Sequence, residues 1–198
     1  MNDIKITINV YNNRAKELSD YYDTYDRSGD IKRVFSYIKK PNPRVLEIGC
    51  GGGRYAVEIL KYTKDYIGMD ISSNMLDLAK SRLPNAVFEL GDINTYNLPL
   101  NIDIIYSSAS LLHSNKKVVK NVLKRCHRVL NIDGIVYISL KYGTYKKIIK
   151  KDRFGERLFY LYTPEDIKKL ALSMYQAIYE DTQTIEHTKW FTLVLRKV

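Results

Sequence analysis

The chain is poor in the residues that mark several protein classes. It has two cysteines and three histidines among 198 residues. Cys50 and Cys126 lack a metal-ligand spacing and have no evident reason to pair, so neither a disulfide framework nor a metal centre is expected. An intracellular, reduced and therefore cytoplasmic setting is the simplest expectation. Apolar runs of about 18 residues are missing, which argues against a spanning helix and a membrane partner. The first residues, Met-Asn-Asp-Ile-Lys-Ile-Thr, lack the basic-then-apolar pattern of a signal peptide. Glycine is also scarce, with ten in all, yet four fall within residues 49–53.

What is present suits one globular domain. Hydrophobic residues make up 45%, enough for one core. The net charge of +10 comes from 32 basic and 22 acidic residues. Residues 114–157 carry 13 Lys/Arg against 3 Asp/Glu, so the excess lies there. Lys117, Lys120, Lys124 and Arg128 fall opposite Val119, Val122, Leu123, Cys126 and Leu130, the pattern of a solvated helix face. Lys141, Lys146, Lys147, Lys150, Lys151 and Arg153 show no such period. They read as a basic loop over 141–153, either simply solvated or facing an anionic substrate or nucleic acid.

Short runs rich in Val, Ile and Tyr at 44–48, 66–70, 86–90, 102–107 and 135–140 alternate with helical spacing at 54–62, 73–82, 115–130 and 163–173. Ser73 and Thr163 suit N-caps, and Pro164 suits the first helical position. This rhythm predicts an α/β fold of three αβα layers around a mostly parallel sheet. Residues 178–184 and 190–195 are close enough to pair as an antiparallel hairpin. One domain over 1–198 is expected, with helices in 1–40 as a lid on a Rossmann-like core over 41–198.

The glycines follow the first predicted strand in Val45-Leu-Glu-Ile-Gly-Cys-Gly-Gly-Gly-Arg54. Ligands of parallel sheets bind at the carboxyl ends of strands, where strand order reverses, and glycine lets backbone turn tightly or pass close under a ligand. A dinucleotide loop, Gly-x-Gly-x-x-Gly, counted from Gly49 ends on Arg54; counted from Gly51 it ends on Ala56, two residues late. Gly-x-Gly-x-Gly through Gly49, Gly51 and Gly53 fits without a shift. Glu47 would lie near a ligand's ammonium group. Asp70 ends the next strand, where its two oxygens suit ribose hydroxyls. Asp92, beside Ile93, ends the third, where it suits an adenine amino group.

These stretches together resemble class I S-adenosylmethionine-dependent methyltransferases. Residues 45–53, 66–72 and 89–93 resemble the family's first three motifs. Ile102-Asp-Ile-Ile-Tyr-Ser-Ser-Ala-Ser-Leu-Leu-His113 resembles the fourth, and residues 128–139 the fifth. The resemblance spans nearly the whole chain and implies a seven-stranded sheet ending in an antiparallel hairpin. It implies S-adenosyl-L-methionine as cofactor and S-adenosyl-L-homocysteine as product. Glu47, Gly49, Cys50, Gly51 and Gly53 would hold the methionine part, Asp70 and Ile71 the ribose and adenine, Asp92 and Ile93 the adenine. Ser108 or Ala109 would face the methyl end. A tyrosine among Tyr11, Tyr21 and Tyr22 would close over the cofactor, Tyr21 first among them.

His113, just after strand four, is the candidate base. Residues 103–109 lack the Asn/Asp-Pro-Pro-Tyr/Phe sequence of enzymes that methylate exocyclic base amines, and neither cysteine follows strand four as cytosine C5 chemistry requires. A small-molecule O, N or S acceptor is the leading reading. Residues 157–165 and Lys189-Trp-Phe loosely resemble methyltransferases acting on modified tRNA wobble uridines, which keeps tRNA as an alternative partner. Tyr142, Arg157 and Tyr160 are the substrate-binding candidates. A non-catalytic cofactor-binding protein is the third reading, and monomer and homodimer both remain open.

Overall fold

A computed structural model describes residues 3–25 and 28–198. The β1 (Val45–Ile48), β2 (Tyr66–Asp70), β3 (Val87–Leu90), β4 (Ile102–Ser108) and β5 (Leu130–Lys141) strands run parallel. The long hairpin β8 (Tyr175–Ile185) and β9 (Thr188–Lys197) completes a seven-stranded sheet in the order β3-β2-β1-β4-β5-β9-β8, with β9 antiparallel to both neighbours.

Alternation along the central strands builds one apolar cluster on each face. Ile105, Val136 and Ile138 join Leu46 and Ile48 against α6 (Lys116–Val129) and α7 (Pro164–Ala171). Ile104, Tyr106, Ile135 and Tyr137 point the other way. There they meet α3 (Ser28–Ser36), α4 (Arg54–Ile59) and α5 (Ser73–Arg82) through Ile31, Val34, Ile59 and Leu76. Successive strand residues face opposite sides, so a continuously apolar strand supplies two cores. On α6, Val119, Val122, Leu123 and Cys126 are buried, while Lys117, Lys120, Lys124 and Arg128 are exposed. That part of the basic excess is a solvated helix face.

Local chemistry sets the helix starts. Thr163 accepts the Asp166 N–H at 3.1 Å, the Asp166 carboxylate accepts the Thr163 N–H at 3.1 Å, and Pro164 takes the first turn. At α5 the cap is Ser72, one residue before the predicted Ser73; its Oγ accepts the Met75 N–H at 3.2 Å.

Two expectations change. The 141–153 segment is not a loop: Lys146–Asp152 is β6, paired antiparallel with β7 (Gly155–Leu161) in a separate two-stranded sheet. Its Lys-Lys-Ile-Ile-Lys-Lys order has no two-residue period, because most of β6 is exposed on both faces. The N-terminal segment also divides. Helices α1 (Asp3–Asn13) and α2 (Ala15–Asp23) lie over the carboxyl ends of the strands, whereas α3 belongs to a core layer. Residues 1–2 and 26–27 of the expected lid lie outside the described residues.

Candidate active site

The chain reverses strand order between β1 and β4, and a cavity of about 970 Å³ opens there. Gly49 follows β1 with φ +76°, and a Cβ on it would lie 2.1 Å from the Oγ of Ser110, which follows β4. The two loops therefore meet only because residue 49 has no side chain. Gly51 has φ +52° with no atom within 4 Å of where a Cβ would be. The space over its backbone is open to the cavity, as close approach of a ligand requires.

Asp70 ties this loop to the next strand. Its Oδ2 accepts the Gly51 N–H and its Oδ1 the Ser72 N–H, each at 2.9 Å. Burial raises its pKa, and those backbone donors oppose the rise. A carboxylate has about four acceptor positions, so each oxygen retains capacity toward the cavity. Asp92 Oδ1 accepts the backbone and side-chain N–H groups of Asn94, both at 2.8 Å. The Arg125 guanidinium donates to the carbonyls of Ile93 and Tyr96 and so fixes the loop carrying Asp92 and Ile93. Ser108 Oγ lies 3.0 Å from the Tyr55 hydroxyl. Ala109 has φ +54°, a left-handed conformation that costs a non-glycine residue on the order of 1 kcal/mol.

Gly49, Cys50, Gly51, Asp70, Ile71, Asp92, Ile93, Ser108 and Ala109 all line this cavity, as do Tyr21, His113, Arg157 and Tyr160. Three predicted residues do not. Glu47 shares with Val45 the α3–α5 face of β1, where it is 1% exposed and accepts the Tyr66 hydroxyl at 2.6 Å. Burial raises its pKa to about 8, against the Tyr66 hydrogen bond and the Arg54 charge. Gly53 caps α4 with φ +79°, and a Cβ there would meet Ala79 at 3.2 Å. It serves the packing of α4 against α5. The Tyr142 ring packs edge-on to Phe191 beneath the Lys189 ammonium.

His113 is in the cavity, but both ring nitrogens are engaged. Nδ1–H donates to the Leu158 carbonyl in β7, which leaves Nε2 to accept from the Tyr11 hydroxyl at 3.0 Å. Burial pushes its pKa down to about 3, far below the range useful to a base at neutral pH. The Leu158 N–H donates to Thr7 Oγ1 at 2.8 Å. His113 and Thr7 thus satisfy the outward groups of β7 and hold the hairpin against α1. The geometry makes His113 a positioning residue rather than the expected base.

The roof is aromatic and cationic. Tyr21 and Tyr25 hydroxyls donate to Glu186 in the β8–β9 turn, at 3.3 and 2.6 Å. Arg157, 5% exposed, donates to the Tyr22 hydroxyl at 2.7 Å and pairs with Asp152. Arg54 reaches from α4 to the carbonyls of Tyr22 and Tyr25 and to the Tyr55 hydroxyl. Sequence reasoning missed Arg54 as a site residue. The available signal was a cation at a first helical position, against the dipole preference. It also missed that Lys141, Lys150 and Arg153 line the cavity while Lys146, Lys147 and Lys151 do not.

The doubly wound sheet with its late antiparallel strand, and this glycine-and-acid cavity at the reversal point, define the class I methyltransferase fold. Residues 45–134 match the family described as "Methyltransferase domain". That match covers the central part of the chain, and the fold is the one shared by solved S-adenosylmethionine-dependent methyltransferases. An S-adenosylmethionine-dependent methyltransferase of Clostridium acetobutylicum superposes with a TM-score of 0.72 at 14% identity, over 91% of this chain and 98% of that one. A phosphoethanolamine N-methyltransferase of Plasmodium falciparum is 32% identical over 126 residues, 59% of this chain and 47% of that protein. A malonyl-(acyl-carrier protein) O-methyltransferase of Bacillus cereus is 28% identical over 130 residues, 59% of this chain and 48% of that protein. The chain spans about half the length of these curated relatives.

Proposed function

We propose that this protein transfers a methyl group from S-adenosylmethionine to an oxygen, nitrogen or sulfur atom of a small-molecule acceptor. The observation that carries the reading is one continuous cavity. It joins the open Gly51 backbone, Asp70 and Asp92 at one end to an aromatic, cationic wall at the other, under α1 and α2. The relative named for phosphoethanolamine supports a small acceptor.

Bound S-adenosylmethionine would supply an activated methyl group; the chain's work is binding, alignment and exclusion of water. Asp70 would take the ribose hydroxyls and Asp92 the adenine amine, with Ile71 and Ile93 along the base. The glycine loop would pass beneath the amino-acid part, with the Arg54 guanidinium near its carboxylate. Tyr11, Tyr21 and Tyr22 close the roof, held by His113, Glu186 and Arg157. Lys146, Lys147 and Lys151, exposed on β6 and outside the cavity lining, favour the second reading, a tRNA acceptor.

Calorimetric titration with S-adenosylmethionine and S-adenosylhomocysteine, with NADH as control, tests the first step. Micromolar binding of both adenosyl ligands is expected, weakened about ten- to a hundredfold in Asp70→Ala by loss of charge-assisted hydrogen bonds. Binding of NADH alone would overturn the reading. Tight, steeply salt-dependent tRNA binding would favour the second acceptor class.

A further inference from the structure

The strand order places two different surfaces along one edge of the sheet. Asp70 ends β2 and Lys141 ends β5, with β1 and β4 between them. Neighbouring strands lie about 4.8 Å apart, so these residues stand roughly 14 Å from each other across the cavity. The Asp70 end carries carboxylates. The Lys141 end carries cations: Lys150 and Arg157 act on Lys141 there, with Asp152 as their acidic neighbour, and all four line the cavity.

The charges there are not balanced internally. Asp152 is committed to Arg157. Arg153 lies over the rings of Tyr21 and Phe154. The Lys141 ammonium makes no hydrogen bond or ion pair among the described residues. It lies 3.8 Å from the Phe159 ring centroid and 5.7 Å from that of Trp190, its partner across the β5–β9 ladder. The Arg157 guanidinium sits over the same Phe159 ring at 5.4 Å, and its buried Nε has no hydrogen-bond partner among the described residues. Two cations thus share one aromatic ring. Burial, with the Arg157 and Lys150 charges, lowers the Lys141 pKa to about 8, against the smaller opposing effect of the Asp152 charge. A partly desolvated ammonium without a direct ion-pair partner is costly, and an incoming anion would offset that cost.

We propose that the Lys141–Arg157 end of the cavity binds the anionic group, a carboxylate or a phosphate, of an acceptor with an aromatic or apolar body that packs on Phe159 and Trp190. Calling the ligand an acceptor rests on the methyl-transfer reading; the anion site itself does not. Of the basic cluster seen in the sequence, only Lys141, Lys150 and Arg153 line the cavity, while Lys146, Lys147 and Lys151 stay outside it.

Trp190 is the single tryptophan of the chain, so its fluorescence reports on this end. The protein saturated with S-adenosylhomocysteine, and the protein without it, are titrated with benzoate, phenyl phosphate and neutral benzyl alcohol. Saturable binding of at least one anion is expected, about tenfold tighter than the alcohol, as one charge-assisted contact implies. Benzoate against phenyl phosphate separates carboxylate from phosphate. Lys141→Met should weaken the anions about tenfold, and Lys141→Arg should restore them. The exposed Lys150→Gln, which leaves the fold intact, should weaken them in the same direction by less. Equal affinity for the alcohol, undiminished anion binding in both Lys141→Met and Lys150→Gln, or no response to any probe overturns the proposal. Anion binding by a protein that fails to bind S-adenosylhomocysteine would leave the anion site standing and overturn the methyl-transfer reading instead.

Discussion

Glu47→Gln should stabilise the protein at alkaline pH and leave cofactor binding intact. Glu47 is buried against Tyr66, and its carboxyl titrates near pH 8 in the folded chain against an ordinary 4.5. The folded state therefore holds a proton that the unfolded state releases as pH rises through 4.5. Stability falls with pH across that window and levels off above about 8. At about 1.4 kcal/mol per unit, the loss between pH 5 and pH 8 reaches roughly 3–4 kcal/mol, a large share of a typical domain's stability of about 5–15 kcal/mol. Glutamine keeps an acceptor oxygen for the Tyr66 hydroxyl and has no proton to lose. Urea denaturation of both proteins at pH 5 and pH 8, followed by far-ultraviolet circular dichroism, gives the difference directly. Subtracting the curves removes every other titrating group. The variant should gain about 3 kcal/mol relative to wild type between the two pH values, with unchanged affinity for S-adenosylhomocysteine. Parallel pH profiles would refute the burial argument. Lost ligand binding would show that the carboxylate turns to the cofactor after all.

Gly49→Ala sets a Cβ against Ser110 on a left-handed backbone and should part the β1 and β4 loops. S-adenosylhomocysteine affinity should fall more than tenfold by calorimetry, for a stability loss of about 1–3 kcal/mol in urea. His113 has the opposite pH sign to Glu47. Its folded pKa of about 3 lies below the ordinary 6.5, so the stability it contributes is present above pH 6.5 and is lost as pH falls toward 3. Thermal melts of His113→Gln should lack that acid-side decline, and limited proteolysis should cut its β6–β7 hairpin sooner, because the hold on Leu158 is weakened.

The features legible in the sequence are local ones. The strand and helix order, the Thr163–Asp166 cap, the glycine turn and the sequence of strand-end acids depend on residue spacing and backbone preference, and these act over a few residues. Asp70 and Asp92 were readable as lining residues because acids at or just past the carboxyl ends of parallel strands on one side of the reversal point open toward the same crevice.

What only the tertiary structure decided is which way a side chain faces and what closes over it. Glu47 sits two residues before the loop, yet the strand's two-residue alternation turns it onto the Tyr66 face, away from the cavity. Gly53 looks like Gly51 in sequence but meets Ala79 in α5 rather than open space. The basic stretch became a hairpin because α1 and His113 bind its edge from 151 and 45 residues away. Of the clustered lysines, pairing with β9 set Lys141 beside Trp190. These outcomes rest on contacts between distant segments, which no local pattern encodes; the glycines and acids at one end of the cavity were written along the chain, and the cationic end was made by folding it.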